Sequence, residues 1–245
     1  MLGNRVEEDF RLLHKVNTGR LSPDGISVFF WGAFMFGMVM TGVALFGMSE
    51  NAELNSPLLE IIIQKISIPL LVIQLLFTLF FTYEKNAFRF QRLQMILLSF
   101  ISIKLSLDAY QFFFVAAVAY QAPSYVINTG LFILIGGIIY LLISLARGIR
   151  RFQNGEFKKD GKGLYDFKSS KGYVVIPIIY AAAMLGGSMG RNFSDPSTSL
   201  GLYVVLLLCA TIQYGIAMAW PEFFLLTHAK LKFNSFIVKT PKRLL

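Results

Sequence analysis

The stretch SIKLSLDAYQ, residues 102–111, sets a cation and an anion four residues apart inside an otherwise apolar run. On a helix Lys104 and Asp108 share one face, and Gln111 continues it a turn later. A carboxylate so placed could titrate or bind a cation, with Lys104 setting its pKa as a neighbouring charge. Alternatively the pair fixes helix packing or receives a charged residue of a partner subunit. The structural reading leads, because no second carboxylate lies near and the lysine keeps the aspartate ionised, a poor arrangement for carrying protons. A lone charge at a bilayer centre costs roughly 2.5–3.5 kcal/mol on insertion scales, so the pair is expected to face a bundle interior. Gln74 and Gln213, mid-membrane polar residues of two other apolar runs, are candidates to meet it. Ser99, Ser102 and Ser106 flank the same face as donors across helices.

Other chemistry is poorly represented. The chain has no H-E-x-x-H, no G-x-S-x-G and no Gly-rich phosphate loop. His14 and His228 fall in polar flanks, and the single cysteine, Cys209, lies in an apolar run without a C-x-x-C partner. The sequence therefore implies no metal, no cofactor and no catalytic residue. A lipid-modifying enzyme would need a carboxylate or histidine cluster at one interface, and none is evident.

The elements that hold these residues follow from hydropathy. Of 245 residues 55% are hydrophobic, and the mean hydropathy is +0.60, too apolar for a soluble domain. The apolar residues form six continuous blocks, about 26–48, 57–83, 93–120, 125–146, 173–190 and 200–220. Each is long enough to cross a bilayer as a helix of about 20 residues. The blocks do not alternate, which argues against a barrel. The first is too long for the core of a cleavable leader and has no A-x-A cleavage site, so it is expected to be retained.

The charges assign the topology. Four basic residues precede the first block, three lie between the second and third, eight between the fourth and fifth, and five follow the sixth. Only Lys65, Lys104 and Arg191 lie elsewhere among the 23. Basic loops alternating with loops whose only basic residue is Arg191 are the positive-inside pattern, with both termini cytoplasmic. The net charge of +9 is thus a topology signal with affinity for anionic headgroups. Nucleic acid is not an expected partner, because no aromatic-basic motif accompanies the charge.

The expected organisation is a cytoplasmic amphipathic segment (1–25), a six-helix membrane domain (26–227) containing a basic loop (147–172), and a basic tail (228–245). In the N-terminal helix Val6, Phe10 and Leu13 share an apolar face that could lie on the inner membrane surface. Asn154-Gly155 predicts the end of the fourth helix, and Asp160-Gly161 within EFKKDGKGLYDF predicts a hairpin. Arg147, Arg150, Arg151, Lys158 and Lys159 of this loop are the candidate contacts for headgroups or a cytoplasmic partner. Asn192-Phe193-Ser194 matches a glycosylation sequon too close to the expected membrane to be used.

Rows of small residues predict close helix approach: Ala182, Gly186 and Gly190, then Ala183 and Gly187 in the fifth block, and Ala33, Gly37 and Thr41 in the first. The fifth helix is therefore expected at the centre of the bundle or at an interface. Pro69 and Pro177 interrupt the second and fifth blocks at equivalent places in two halves of three helices, a weak mark of a transport site. The leading functional expectation is a non-enzymatic inner-membrane subunit of a larger transport, secretion or envelope assembly. It would contact other membrane subunits through its spans and its basic loop, in a bacterial cytoplasmic membrane. A small transporter or channel built around Asp108 is the alternative, and a membrane-embedded lipid-modifying enzyme comes third.

Overall fold

In a computed structural model the chain is all-helical, with no strands among the described residues, which are 6–50, 57–158, 161, 163–164 and 199–241. A 3-10 turn (Glu7–Phe10) leads into α1 (Arg11–Thr18), and the long α2 (Pro23–Glu50) follows. A short α3 (Pro57–Glu60) passes through a π-helical segment (Ile61–Ser67) into α4 (Ile68–Thr82). Then come α5 (Glu84–Arg89), α6 (Gln91–Ala119), α7 (Ser124–Gln153) and α8 (Ser199–Lys232). Five helices are long and apolar enough to span a membrane: Pro23–Ser49, Ile61–Thr82, Gln91–Ala119, Ser124–Gln153 and Gly201–Lys232. They coincide with five of the six expected blocks. The sixth, 173–190, lies outside the described residues together with Pro177, Ala182, Ala183, Gly186, Gly187 and Gly190.

Among the described residues α6 is the central helix. It packs against α2 on one side and α8 on the other, while α4 lies outside α2 and α7 outside α8. More than half of the α6 span is buried, against a third or less of each other span. Composition explains the choice. Lipid is as apolar as a leucine side chain, so a helix is drawn inward by small and polar residues. α6 buries Ser102, Ser106, Asp108, Ala109, Ala116 and Ala117.

The basic segments meet at one end of the bundle. Gln94 Nε2 donates to the Pro23 carbonyl (2.8 Å) and Ser27 Oγ to the Phe81 carbonyl (2.8 Å), tying the starts of α2 and α6 to the end of α4. The N-terminal segment plugs the same end. Phe10 and Leu13 are fully buried there, with Phe10 packed on Phe152, Phe233 and Phe236. The expected apolar face of this segment is thus real at Phe10 and Leu13 but covers protein rather than lipid. Val6 departs from it and is exposed: the 3-10 turn at 7–10 changes the angular spacing, and Asp9 folds back to accept the Val6 N–H (3.3 Å).

Three helix ends differ from the hydropathy blocks for identifiable reasons. α7 runs on to Gln153 because Arg150 and Arg151 suit the negative end of the helix dipole. It stops where Gly155 takes φ +81°, with N–H groups of Gly155 and Glu156 returning to the carbonyls of Phe152 (3.0 Å) and Arg151 (3.2 Å). α8 does not end at Trp220 but continues through Pro221 to Lys232. Gly148 of α7 leaves room for the proline ring, since a Cβ at 148 would run into it. Pro69 does not break its helix either. The π-helical turn just before it, closed by Ile68 N–H to the Ile63 carbonyl, widens the backbone where the ring must fit. The hairpin expected around Asp160-Gly161 falls partly outside the described residues. Its described part forms turns, with Gly163 N–H on the Glu156 carbonyl (2.7 Å).

Candidate functional site

The charged pair is built on α6 and closed by α2 and the π-helical segment. Lys104 Nζ lies 2.5 Å from Asp108 Oδ2, with both side chains largely buried. Gln111 Nε2 donates to Asp108 Oδ1 (3.0 Å) and to Ser67 Oγ (2.9 Å). Thr41 Oγ1 of α2 donates to Gln111 Oε1 (3.3 Å). Both carboxylate oxygens are therefore occupied by donors, and Gln111 links α6 to its two neighbours. Gly37 makes the approach possible. A Cβ there would stand 2.9 Å from Asp108 Oδ2 and 3.2 Å from Lys104 Nζ. The small row Ala33, Gly37 and Thr41 lies along the α2–α6 seam, with Ala33 and Thr41 buried.

Lysine preceding its acid by four residues is the weaker order for supporting an isolated helix. The pair thus does little for α6 itself. Its effect is to leave a buried, electrically neutral polar knot, which lowers the cost of holding either charge at this depth.

A cavity of about 800 Å³ opens beside this knot, between the π-helical segment with α4, the face of α6, and α7. Its walls are aliphatic and aromatic, for example Ile66, Leu70, Phe100, Leu107 and Leu131. Polar groups interrupt them at Ser67, Gln74, Lys104, Asp108, Tyr110 and Gln111. Gln74 is 4% exposed, and its Oε1 has no hydrogen-bond partner among the described residues. Such an orphaned buried acceptor is uncommon in native proteins.

The five intramembrane polar candidates therefore separate into two places. Lys104, Asp108 and Gln111 form one network, and Gln74 lines the same cavity. Gln213 is elsewhere, in the seam of α6, α7 and α8. Its Oε1 accepts from Tyr110 Oη (2.7 Å) and its Nε2 donates to the Leu134 carbonyl (3.0 Å). Gly137 of α7 admits it, because a Cβ at 137 would overlap the amide. The serines of α6 do not donate across helices as expected. Ser99, Ser102 and Ser106 bond to the carbonyls of Met95 (3.3 Å), Ser99 (2.9 Å) and Ile103 (2.7 Å) on their own helix. In a helix interior that local bond is always within reach.

Two contacts escaped the sequence reading. Ser67 is a member of the network, and its only sequence sign is that Ser67 and Gln74 fall seven residues apart, on one helix face. Arg20 pairs with the buried Glu222 at the basic end, a contact across 202 positions of sequence with no local signal.

At the basic end, Arg151 Nη1 donates to the Leu164 carbonyl (2.5 Å) and its Nε lies 3.6 Å from Glu156. Lys158 pairs with Asp9 at 3.4 Å. Arg147 and Arg150 are exposed and line a smaller cavity of about 360 Å³ with Arg151 and Asn154. Lys159 lies outside the described residues.

These features define an all-helical, multi-pass membrane protein with a polar site inside its spans. No protein-family model, curated protein or solved structure matches the chain significantly.

Proposed function

We propose that this is a non-enzymatic binding subunit of a bacterial cytoplasmic membrane that holds an apolar molecule of lipid size in the lateral cavity over α6. The cavity carries the reading. Its volume of about 800 Å³ falls in the range of small-molecule sites, roughly 300–1,000 Å³ and mostly apolar. Both oxygens of the neighbouring carboxylate are held by Lys104 and Gln111, which suits a fixed floor better than a proton or ion path. A π-helical turn on one wall supports it, because such turns recur at functional sites.

The test is extraction of purified protein with organic solvent and mass spectrometry of what it carries. Leu70→Trp with Leu131→Trp fills the cavity from two walls. The double variant is expected to retain at least tenfold less of the bound molecule than wild type. Equal retention would overturn the reading.

The topology proposed with it is six spans with both termini cytoplasmic. α7 finishes at the basic end of the bundle and α8 begins at the other, so the intervening chain has to cross once more. The apolar block 173–190 is the segment suited to that crossing. The exposed Arg147 and Arg150 favour a second contact, with anionic headgroups or an acidic partner subunit of a larger assembly. Arg147→Gln with Arg150→Gln is expected to reduce co-purifying anionic lipid or cross-linked partner several-fold.

A further inference from the structure

Two positive charges at the basic end of α7 have nothing to answer them. Arg147 and Arg150 are exposed, and neither makes an ion pair or a side-chain hydrogen bond among the described residues. Their neighbours differ: Arg151 lies beside Glu156, and Lys158 beside Asp9. α7 itself contains no acidic residue. Arg147, Arg150 and Arg151 together face only the Glu156 carboxylate, so about two positive charges are left over. The helix dipole returns about half a negative charge at this end, too little to cancel them.

The two free arginines can act on one anion. Residues three apart on a helix stand about 5–6 Å apart at Cβ, and each guanidinium offers paired N–H groups in a rigid fork that fits phosphate oxygens. Both side chains line the smaller cavity of about 360 Å³, with Asn154 toward the helix end as a further polar group.

The rest of that cavity indicates what the anion is attached to. Ile143 and Ala146 line it on the side toward the middle of the span. Ile139, Leu142 and Ile143 are each more than half exposed and carry the apolar face onward from there. A free phosphate or an acidic peptide would use the arginines and leave this apolar wall without a partner. A lipid uses both. A phosphodiester headgroup brings one negative charge, whereas a phosphomonoester brings about 1.5 to 2 at pH 7 with three strong acceptor oxygens, which matches the two unanswered cations.

We propose that the basic end of α7 binds a lipid phosphomonoester, with its phosphate held between Arg147 and Arg150 and its hydrocarbon laid along Ile139 and Ile143. This rests on the headgroup contact proposed above and gives that contact its lipid class. The residues involved are separate from those that line the cavity over α6.

The experiment titrates the full-length purified protein in neutral detergent with dioleoyl phosphatidate, dioleoyl phosphatidylglycerol, dioleoylglycerol or glycerol 3-phosphate. Native mass spectrometry counts what is bound and gives each Kd. Phosphatidate is expected to fill one site at least fivefold more tightly than phosphatidylglycerol, the effect of a second charge near the guanidinium groups, with the other two probes weaker still. Arg147→Gln with Arg150→Gln changes exposed side chains only, and is expected to erase that preference with the melting temperature little changed. The order of the four probes on wild type tests the assignment without any variant. Equal affinity for phosphatidate and phosphatidylglycerol, with both lost in the double variant, would overturn the monoester and leave the headgroup contact standing. Phosphatidate binding unchanged in the double variant would overturn both. Glycerol 3-phosphate binding as tightly as phosphatidate would show a site for soluble phosphate, and displacement of phosphatidate by an equimolar Glu-rich peptide would show a site for a protein partner. Either result would sink the lipid assignment.

Discussion

At the scale of single residues, what matters is whether each charge keeps its partner. Removing one member of a buried pair strands the other, which in soluble cores costs about 3–5 kcal/mol. A single charge inside a span costs roughly 2.5–3.5 kcal/mol on insertion scales. Asp108→Asn and Lys104→Met, each alone, are therefore expected to lower stability in a denaturant titration by about 2–4 kcal/mol. The double variant should recover more than half of that loss, and additive losses would show that the two side chains act independently. Gly37→Ala tests the same knot from α2. Its new Cβ would meet Asp108 Oδ2 at 2.9 Å, so overpacking of about 1–3 kcal/mol is expected. The pair and Gln111 were legible in the sequence because helical spacing alone puts 104, 108 and 111 on one face. Their partners were not. Ser67, Gln74 and Gln213 are each one polar residue in an apolar run, and only the packing of helices decides which faces Asp108. Gln213 has the type and rough depth of Gln111, yet bonds with Tyr110 in a different seam.

At the scale of elements, apolar length located five helices correctly but set their ends by hydropathy, and a helix ends where its backbone does. Asn154-Gly155 was readable because a left-handed cap is a backbone requirement carried by a residue type. Trp220-Pro221 was not, because a proline can stay inside a helix when its neighbour makes room. Here the neighbour is Gly148, 73 positions away on α7. Gly148→Leu should therefore be harmful in proportion to the proline beside it. A stability loss of about 1–3 kcal/mol is expected for the single change, and a smaller one when it is made in a Pro221→Gly background, which removes the Cβ that the new side chain meets. An undiminished loss in the double variant would mean that contacts other than the proline ring limit the space at 148. The N-terminal segment is the opposite case. Its apolar face was legible, but what the face covers was not, because lipid and protein satisfy the same pattern. Phe10, fully buried among aromatic rings, should cost about 3–5 kcal/mol on truncation to alanine, an effect that a helix merely resting on lipid would not produce.

At the scale of the whole molecule, the distribution of charge and the direction of the helices make one connected argument. Every segment rich in Lys and Arg that the structure describes sits at the same end of the bundle, where α1, the ends of α4, α7 and α8 and the start of α6 meet. Clustering of this kind is what the positive-inside rule requires of an even number of crossings with both termini on one side. On the six-span reading proposed above, the apolar block 173–190 supplies the crossing between α7 and α8. The native Cys209 is buried, so a Cys209→Ala background offers clean sites for labelling. Cysteines introduced at Lys158 and Ser169 are expected to react with a membrane-impermeant maleimide only after the cells are opened. Those at Gln121 and Ser197 should react in intact spheroplasts. Position 169 precedes the block and position 197 follows it, so their two responses bear directly on whether the block crosses. Identical behaviour at 169 and 197 would remove that span, and with it the even count that places both termini on the cytoplasmic side. A reversed pattern at all four positions would keep the six crossings and turn the protein over. The basic end would then face outward, and Arg147 and Arg150 could no longer meet the anionic lipids of the inner leaflet.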